Sequence, residues 1–546
     1  MTLDDLVTTD EARARYRAAR LWDDSTLGGR VAHWASTRPE AIAVVDDAGT
    51  RRTYAELDRD AAILAQHLSS RVSAGDVVSV QLPNCYHTVV AAIAVQKLSA
   101  VINPLLPGYR SRELQHVFAT ARPKAILTPT EYRGFAYEPM VDGLRAATGL
   151  DVHHVVLGTP SSAAATSLTD VLFAGHVDAP RLRAAPAGAV SELIFTSGTE
   201  ASPKAIMHTE QTTNFSVRVA HADLGMTEAD VVWMPSPVGH STGFNYGLRM
   251  ALYHGLTLVL QDQWSASTAC ELITREGCTY TLAATTFLKD LVEEAAGRAL
   301  RLDSMRLFGC GGAPVPPELV ESAQEQGVQV LRLYGSTEVL VGSWHRPGTP
   351  LARRARSDGQ PMSHVDLQLR DADGAVVAPG SEGEIFTRGP NTCVGFFRDP
   401  ARTAQTFSEG WVRSGDVAVT TPEGDIAIVG RRKEIIIRGG LNIAPREIED
   451  MLVRFTEVRR AAVVGLPDER LGERAAACLV LRDGAQLSFA TMVQRLRAAG
   501  IADYKLPERL DILADLPTTA TGKVQKHEII RDLLAADPAP RWDRSA

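Results

Sequence analysis

Apolar residues along this chain recur at two spacings, and the switching between them is its first structural signal. Over 56–68 they return every three or four positions, the period of a helix with one face on a core, and a second helix is expected over 87–98. Over 77–82 and 125–127 they run continuously for a few residues, as buried strands do. Helices and strands trading places in this way predict an α/β layer with a largely parallel sheet for residues 1 to about 180. Further strands are expected at 190–194, from Ala205 onward, and at 305–308, 328–333 and 426–429. The stretch 161–167 is dominated by small residues and predicts a surface loop.

The local character changes at Lys433. A charged cluster, a β-branched strand from Ile435, a Gly439-Gly440 loop and a helix opened by Pro445 follow one another, with acidic residues in the helix's first turns. Strands at 461–466 and 475–481, a helix at 489–498 and a strand at 509–512 complete this second pattern. The expected fold class is α/β: a large N-terminal domain of layered α/β subdomains over 1–432 and a small α+β C-terminal domain over 433–546.

A length of 546 residues is too great for one core, which agrees with that division. The hydrophobic share of 45% and charged share of 22% are ordinary for a soluble globular protein. A net charge of −8 is mild and argues against a nucleic-acid-binding surface as the main business. Gln96, Lys97, Asn103 and Pro104 interrupt the apolar run 89–106, so a buried helix is expected there and no membrane span. The opening Met1-Thr2-Leu3-Asp4-Asp5 is acidic and lacks the apolar core of a secretory leader. Cys85, Cys270, Cys278, Cys310, Cys393 and Cys478 show neither CxxC pairing nor a histidine pattern; reduced thiols of a cytoplasmic protein are expected, not a zinc site.

Candidate chemistry sits in a few loops. Thr196-Ser197-Gly198-Thr199, closed by Lys204, gathers hydroxyls, a glycine and a cation between two strands. Small residues let backbone N–H groups approach an anion, hydroxyls add donors and the lysine adds charge, as a polyphosphate requires; a solvated turn has a similar composition. It is not the GxxxxGK[ST] loop, because Ala205 follows Lys204. Two expected strands run into Gly311-Gly312-Ala313 and Tyr334-Gly335-Ser336-Thr337-Glu338, and the carboxyl ends of neighbouring strands are where α/β sheets bind ligands. In the second loop a ring can stack on a base, a hydroxyl can touch phosphate and a carboxylate can hold Mg²⁺; the alternative is a buried tyrosine before a helix cap. His240, flanked by Gly239 and Gly243, is either a packed loop residue or a pocket liner. Asp416, behind Gly415, can accept two hydrogen bonds from a ribose diol or simply serve a turn. Lys523, after Thr521-Gly522, reads on its own as a solvated charge.

Taken together the segments are far more specific. The loop 196–204, Tyr334 to Glu338, Ser414-Gly415-Asp416, Gly430-Arg431-Arg432-Lys433, the run 439–449 with its Pro-x-Glu-Ile-Glu ending, and Thr521-Gly522-Lys523 occur in an order and spacing that resemble the acyl-adenylate-forming superfamily. That superfamily comprises acyl- and aryl-CoA synthetases, nonribosomal peptide adenylation domains and luciferases, and the resemblance covers essentially the whole chain. Val238-Gly239-His240-Ser241-Thr242-Gly243-Phe244 and Arg438-Gly439-Gly440-Leu441-Asn442-Ile443 are most like AMP-forming CoA ligases, with the cyclohexanecarboxylate–CoA ligase subgroup nearest.

The resemblance implies ATP, Mg²⁺ and coenzyme A, and it implies roles. Thr196, Ser197, Gly198, Thr199 and Lys204 would cradle the β- and γ-phosphates. Tyr334 and the Gly311-Gly312-Ala313 backbone would sandwich adenine, Gly335 and Ser336 would lie among the nucleotide-binding residues, and Asp416 and Arg431 would take the ribose. Thr337 would meet the α-phosphate, Glu338 would hold the metal, and Lys523 would bridge the acid and the α-phosphate. His240 would line the acyl pocket or the thiol path. The small domain is expected to be mobile, turning about Lys433 to exchange Lys523 for the Gly439-Gly440 loop, whose missing side chains leave room for a pantetheine thiol. Amino-acid-activating members hold the substrate ammonium with an aspartate that 240–244 lacks, so an acid without an amino group is expected, lined by Phe244, Thr285, Thr286, Phe287 and Gly311. Ala201 and Ala205 stand where the family usually has glycine, and Glu200 where a hydroxyl is usual, which puts the Glu200 contact in doubt. Two other readings remain at this stage: a ligase that loads an acyl carrier protein, and a nucleotide-binding scaffold without catalysis. The subunit number is open, a homodimer included.

Overall fold

The computed structural model describes residues 7–175, 186–196, 203–313, 315–438, 441–468, 470–499, 501, 503–519 and 522–537. By compactness the chain divides into two units, one running to Leu367 and including Thr387–Val412, the other made of Gln368–Phe386 and the chain from Arg413 onward. The expected domain division at Lys433 falls inside the second unit, which also takes in Gln368–Phe386 and residues 413–432.

The first unit holds two large sheets. One has seven strands in the order Lys204–Thr209, Val190–Thr196, Val101–Pro104, Val77–Val80, Ala125–Pro129, His153–Leu157 and Ala165–Ser167. Its pairs are parallel except for the hairpin joining Val190–Thr196 to Lys204–Thr209. Ala165–Ser167 corrects the expected loop at 161–167: these three residues add an edge strand to His153–Leu157, and an edge needs a partner on one side only. The second sheet has nine strands, parallel from Ile42–Asp46 through Thr257–Leu260, Val231–Met234, Tyr280–Ala283 and Leu307–Gly311 to Val330–Ser336, with antiparallel strands at both edges.

Helices Tyr54–Leu68, Tyr86–Lys97 and Glu210–Asp223 share one core with both sheets, which joins Val78, Val80 and Ile102 of the first to Val44, Leu258 and Leu282 of the second. Ten of the twelve residues of Tyr86–Lys97 are buried, the pattern of a helix covered all round, and this accounts for the apolar run in the sequence. Among the described residues no helix is long and apolar enough to cross a membrane.

In the second unit a small sheet carries helices on both faces. Alternate residues of the long antiparallel pair Val458–Asp468 and Gly472–Leu481 point opposite ways. Val463, Ala475, Ala477 and Leu479 pack with helices Pro445–Leu452 and Phe489–Ala498, while Ala462, Val464, Ala476 and Cys478 pack with Lys526–Ala536. Pro445 occupies the helix start and Glu447 its first turn, as expected of residues that suit an N-terminus.

Candidate active site

Antiparallel pairing sets Thr196 opposite Lys204 in the hairpin that carries the candidate phosphate residues. Ser197, Gly198, Thr199, Glu200 and Ala201 lie outside the described residues. Lys204 Nζ stands 3.9 Å from Glu338 Oε1 and 5.5 Å from the centre of the Phe396 ring. The cation of the hairpin and the carboxylate of the 334–338 turn, far apart in sequence, thus belong to one site. Their side chains are 21% and 16% exposed, and at 3.9 Å the pair is loose enough to open toward other charges.

The adenine candidates lie at the carboxyl ends of two neighbouring strands inside the second sheet. Leu307–Gly311 and Val330–Ser336 are parallel neighbours with Gly311 opposite Leu333, so Gly312, Ala313 and Tyr334 emerge side by side. The strands approach too closely for side chains here: a Cβ on Gly311 would lie 2.4 Å from the Leu333 carbonyl oxygen, and one on Gly335 would lie 2.1 Å from that of Leu340. Tyr334 is 6% exposed, and Ser336, Thr337 and Glu338 are half-buried. Ser336 pairs with Leu340 in a hairpin, so no helix cap forms and that alternative falls.

Three side-chain or backbone donors hold this turn, and none announces itself in the sequence. His208 Nε2 donates to the Thr337 carbonyl at 2.7 Å, Cys393 N donates to the Glu338 carbonyl at 2.7 Å, and Asn391 Nδ2 donates to the carbonyls of Val339 and Val341 at 2.6 and 3.0 Å. A carbonyl only accepts, so Nε2 of His208 carries the proton and Nδ1 accepts from Thr212 Oγ1 at 3.1 Å. Burial pulls the His208 pKa down to about 4, against the opposing pull of the Thr337 bond and the Glu338 charge.

That depression makes a stability prediction. A histidine whose folded pKa lies below its unfolded 6.5 takes up its proton on unfolding, so stability present above pH 6.5 is lost as pH falls toward 4. His154 and His254, held at about 4 and about 3 chiefly by burial, act in the same direction. Between pH 7 and pH 5, His208→Gln is expected to lose roughly 2 kcal/mol less stability than the wild type, at about 1.4 kcal/mol per pH unit. Urea denaturation at the two pH values measures this; equal losses would mean that His208 is charged in the folded protein.

His240 is half-buried; its Nδ1 accepts from Thr242 N at 3.3 Å and its carbonyl from Phe244 N at 2.9 Å. The helix expected after it begins as a π-helix, Thr242–Arg249, continued by Met250–His254. Such widened turns are rare and recur at functional sites. Phe244 is 1% exposed in the core between the sheets, whereas Phe287 packs edge-on against Trp264 at 4.7 Å in a separate cluster. The expected pocket-lining residues are therefore divided between two cores.

In the second unit Asp416 and Arg431 face each other across antiparallel strands, with Arg431 Nε donating to Asp416 Oδ1 at 3.1 Å. Glu384, unremarked in the sequence, organises their surroundings. It accepts from Arg413 at 2.8 and 2.9 Å, from Arg432 Nη1 at 2.7 Å and from Gly415 N at 3.2 Å. Burial would raise its pKa, but the bonds from Arg413 and Arg432 outweigh it and hold the carboxyl below its ordinary range. Lys433 lies in the single turn Arg432–Glu434 between strands Ile426–Arg431 and Ile436–Arg438. Gly439, Gly440 and Thr521 lie outside the described residues. Lys523 is exposed on a loop closed by the Thr518–Val524 bridge; its N–H donates to Thr519 Oγ1 at 3.2 Å and its carbonyl accepts from Thr519 N at 2.8 Å.

The family described as AMP-binding enzyme matches residues 31–397, and the AMP-binding enzyme C-terminal domain matches 447–523. A medium-chain fatty-acid–CoA ligase of Escherichia coli (strain K12) is 34% identical over 97% of this chain and 94% of its own length. A salicyl-AMP ligase/salicyl-S-ArCP synthetase of Mycobacterium tuberculosis is 32% identical over 96% of this chain and 94% of its own. Among solved structures, ATP-bound MatB from Rhodopseudomonas palustris superposes with a TM-score of 0.84 at 25% identity, over 92% of this chain and 98% of that one.

Proposed function

The chain belongs to the family of AMP-binding enzymes, and from that membership we propose that it is an ATP-dependent acid–thiol ligase that makes an acyl-AMP and passes the acyl group to coenzyme A. The observation that carries the reading is the meeting of Lys204 and Glu338 at 3.9 Å, the latter in the turn that follows the strand carrying Tyr334, whose parallel neighbour ends at Gly311. A cation and a carboxylate close to the ends of parallel strands support a phosphate site there, since such strand ends are where α/β sheets bind ligands.

In the first half a carboxylate oxygen bonds to the α-phosphorus, the bond to the bridging oxygen breaks, and pyrophosphate leaves with the electron pair. The acid is already ionised at neutral pH, so no general base is needed. The barrier is repulsion between anions, which placed positive charge and hydrogen-bond donors lower. Lys204 and the hydroxyl loop serve the leaving phosphates, Thr337 the α-phosphate, and Lys523 the pair of reacting anions. One carboxylate plus phosphate oxygens is a usual Mg²⁺ environment, so the half-buried Glu338 suits the metal, which would neutralise phosphate charge. In the second half the thiol sulfur bonds to the acyl carbon, AMP leaves with its electron pair, and the thiol proton goes to solvent.

The acid has no amino group and is medium-chain aliphatic, alicyclic or aromatic; the absence of a carboxylate in 240–244 supports this, since a buried ammonium there would lack a partner. The six unpaired thiols support a cytoplasmic setting. A second reading, transfer to a carrier-protein phosphopantetheine, draws on the Mycobacterium tuberculosis relative. Offering free CoA and a phosphopantetheinylated carrier protein to the enzyme with a supplied acyl-AMP separates the two. Faster thioester formation on CoA is expected, and transfer to the carrier alone would replace the first reading with the second.

A further inference from the structure

We propose that Arg249 is a positioning residue that keeps the His240 segment in register with the phosphate hairpin, through a buried ion pair with Glu192 and Glu210. The inference rests on the proposed reaction only in what it says these two segments bind.

The three residues come from three elements around the site. Glu192 lies on strand Val190–Thr196, upstream of the hydroxyl loop; Glu210 opens helix Glu210–Asp223, directly after the strand begun by Lys204; Arg249 ends the π-helix that starts just beyond His240. The side chains of Arg249 and Glu192 are fully buried and that of Glu210 is 4% exposed. Arg249 donates from Nη2 to Glu192, from Nη1 to Glu210 Oε2 at 2.8 Å and Asn214 Oδ1 at 2.7 Å, and from Nε to Asn245 Oδ1 at 3.1 Å. The amides join it: Asn245 Nδ2 donates to Glu192 Oε2 at 3.2 Å and Asn214 Nδ2 to Glu210 Oε2 at 3.1 Å.

Apolar side chains could pack the same elements without desolvating one guanidinium and two carboxylates, so stability alone is a poor reason for this cluster. What it supplies is direction, because a planar fork bonded on three sides fixes the spacing of its partners. The connection also continues to the 334–338 turn. Glu192 lies opposite His208 in the hairpin register, and His208 holds the Thr337 carbonyl. From the same π-helix, Tyr246 OH meets Ser216 Oγ at 2.6 Å and accepts from Val341 N at 2.9 Å, just past the turn. The segment proposed to seat the acid is thereby tied to both flanks of the proposed phosphate site.

The test uses the full chain with ATP and whichever of octanoate, cyclohexanecarboxylate or benzoate best supports ATP–pyrophosphate exchange. Arg249→Lys keeps the charge and loses the fork; the double variant R249M/E192Q removes one charge of each sign. Because misalignment of about 1 Å costs about a hundredfold, both are expected to keep ATP affinity within about threefold yet lose about 10- to 100-fold in exchange kcat, Arg249→Lys the less. The readings are taken well below each melting temperature. Lower melting temperatures with wild-type kcat would reduce the cluster to a structural role and overturn the proposal. If the wild type exchanges with no acid, the proposed reaction fails, and the register is read separately by amide hydrogen exchange on the wild-type chain. ATP is then expected to slow exchange across residues 242–249 as well as 203–209; protection confined to 203–209, or absent from both, overturns it.

Discussion

Replacing Lys523 with alanine is expected to lower acyl-AMP formation by at least about a hundredfold while leaving thioester formation from supplied acyl-AMP largely intact. The first half-reaction brings a carboxylate against a triphosphate, and no proton transfer relieves that encounter. A cation between the reacting oxygens is worth most in the transition state, where negative charge gathers on the α-phosphate. Lys523 sits exposed on a short bridged loop of the second unit, where alanine removes the charge without opening a core. The second half-reaction releases AMP from an already neutral acyl carbon and makes no such demand. Exchange of labelled pyrophosphate into ATP reads the first half, and single-turnover thioester formation from synthetic acyl-AMP reads the second. Equal losses in both would remove the assignment of Lys523 to one half alone.

Replacing Gly439 with leucine is expected to act in reverse, slowing the second half by up to about a hundredfold and the first by much less. The small domain is proposed to turn about Lys433 after adenylate formation, presenting the Gly439-Gly440 loop where a pantetheine thiol must pass. The strands on either side, Ile436–Arg438 and Leu441–Ile443, pair with Arg438 opposite Leu441, and Ile437 and Leu441 are 54% and 48% exposed. Apolar side chains left in solvent beside the loop suit a surface that is covered in another arrangement of the chain. The same two assays apply, and a larger loss in the first half would contradict the thiol path.

Periodicity and turn chemistry made much of the scaffold legible. The helix at 489–498 and the strand at 509–512 occur at the expected bounds, because each is a short, strongly patterned element between clear breakers. The two strands flanking 197–203 and the neighbouring strands Leu307–Gly311 and Val330–Ser336 were readable for the same reason, although the last runs on through Tyr334 to Ser336 instead of ending at Leu333. Ala165–Ser167 was not, since its small residues carry no strand signal and it exists by pairing with His153–Leu157. Nor was the π-helix after His240, where apolar spacing announces a helix but not its pitch. The residues that hold the site rigid were the least visible. His208, Asn391, Glu384 and Arg249 act through partners distant in sequence, and a lone polar residue in an apolar segment does not name its partner.

Whether this chain makes an acyl-adenylate at all can be asked before any acceptor is involved. Purified protein with Mg²⁺, ATP, labelled pyrophosphate and a medium-sized acid lacking an amino group, but without thiol, should move label into ATP at a rate that depends on the acid. Label that enters ATP only when CoA is added, or that fails to enter with any aliphatic, alicyclic or aromatic acid, would contradict it.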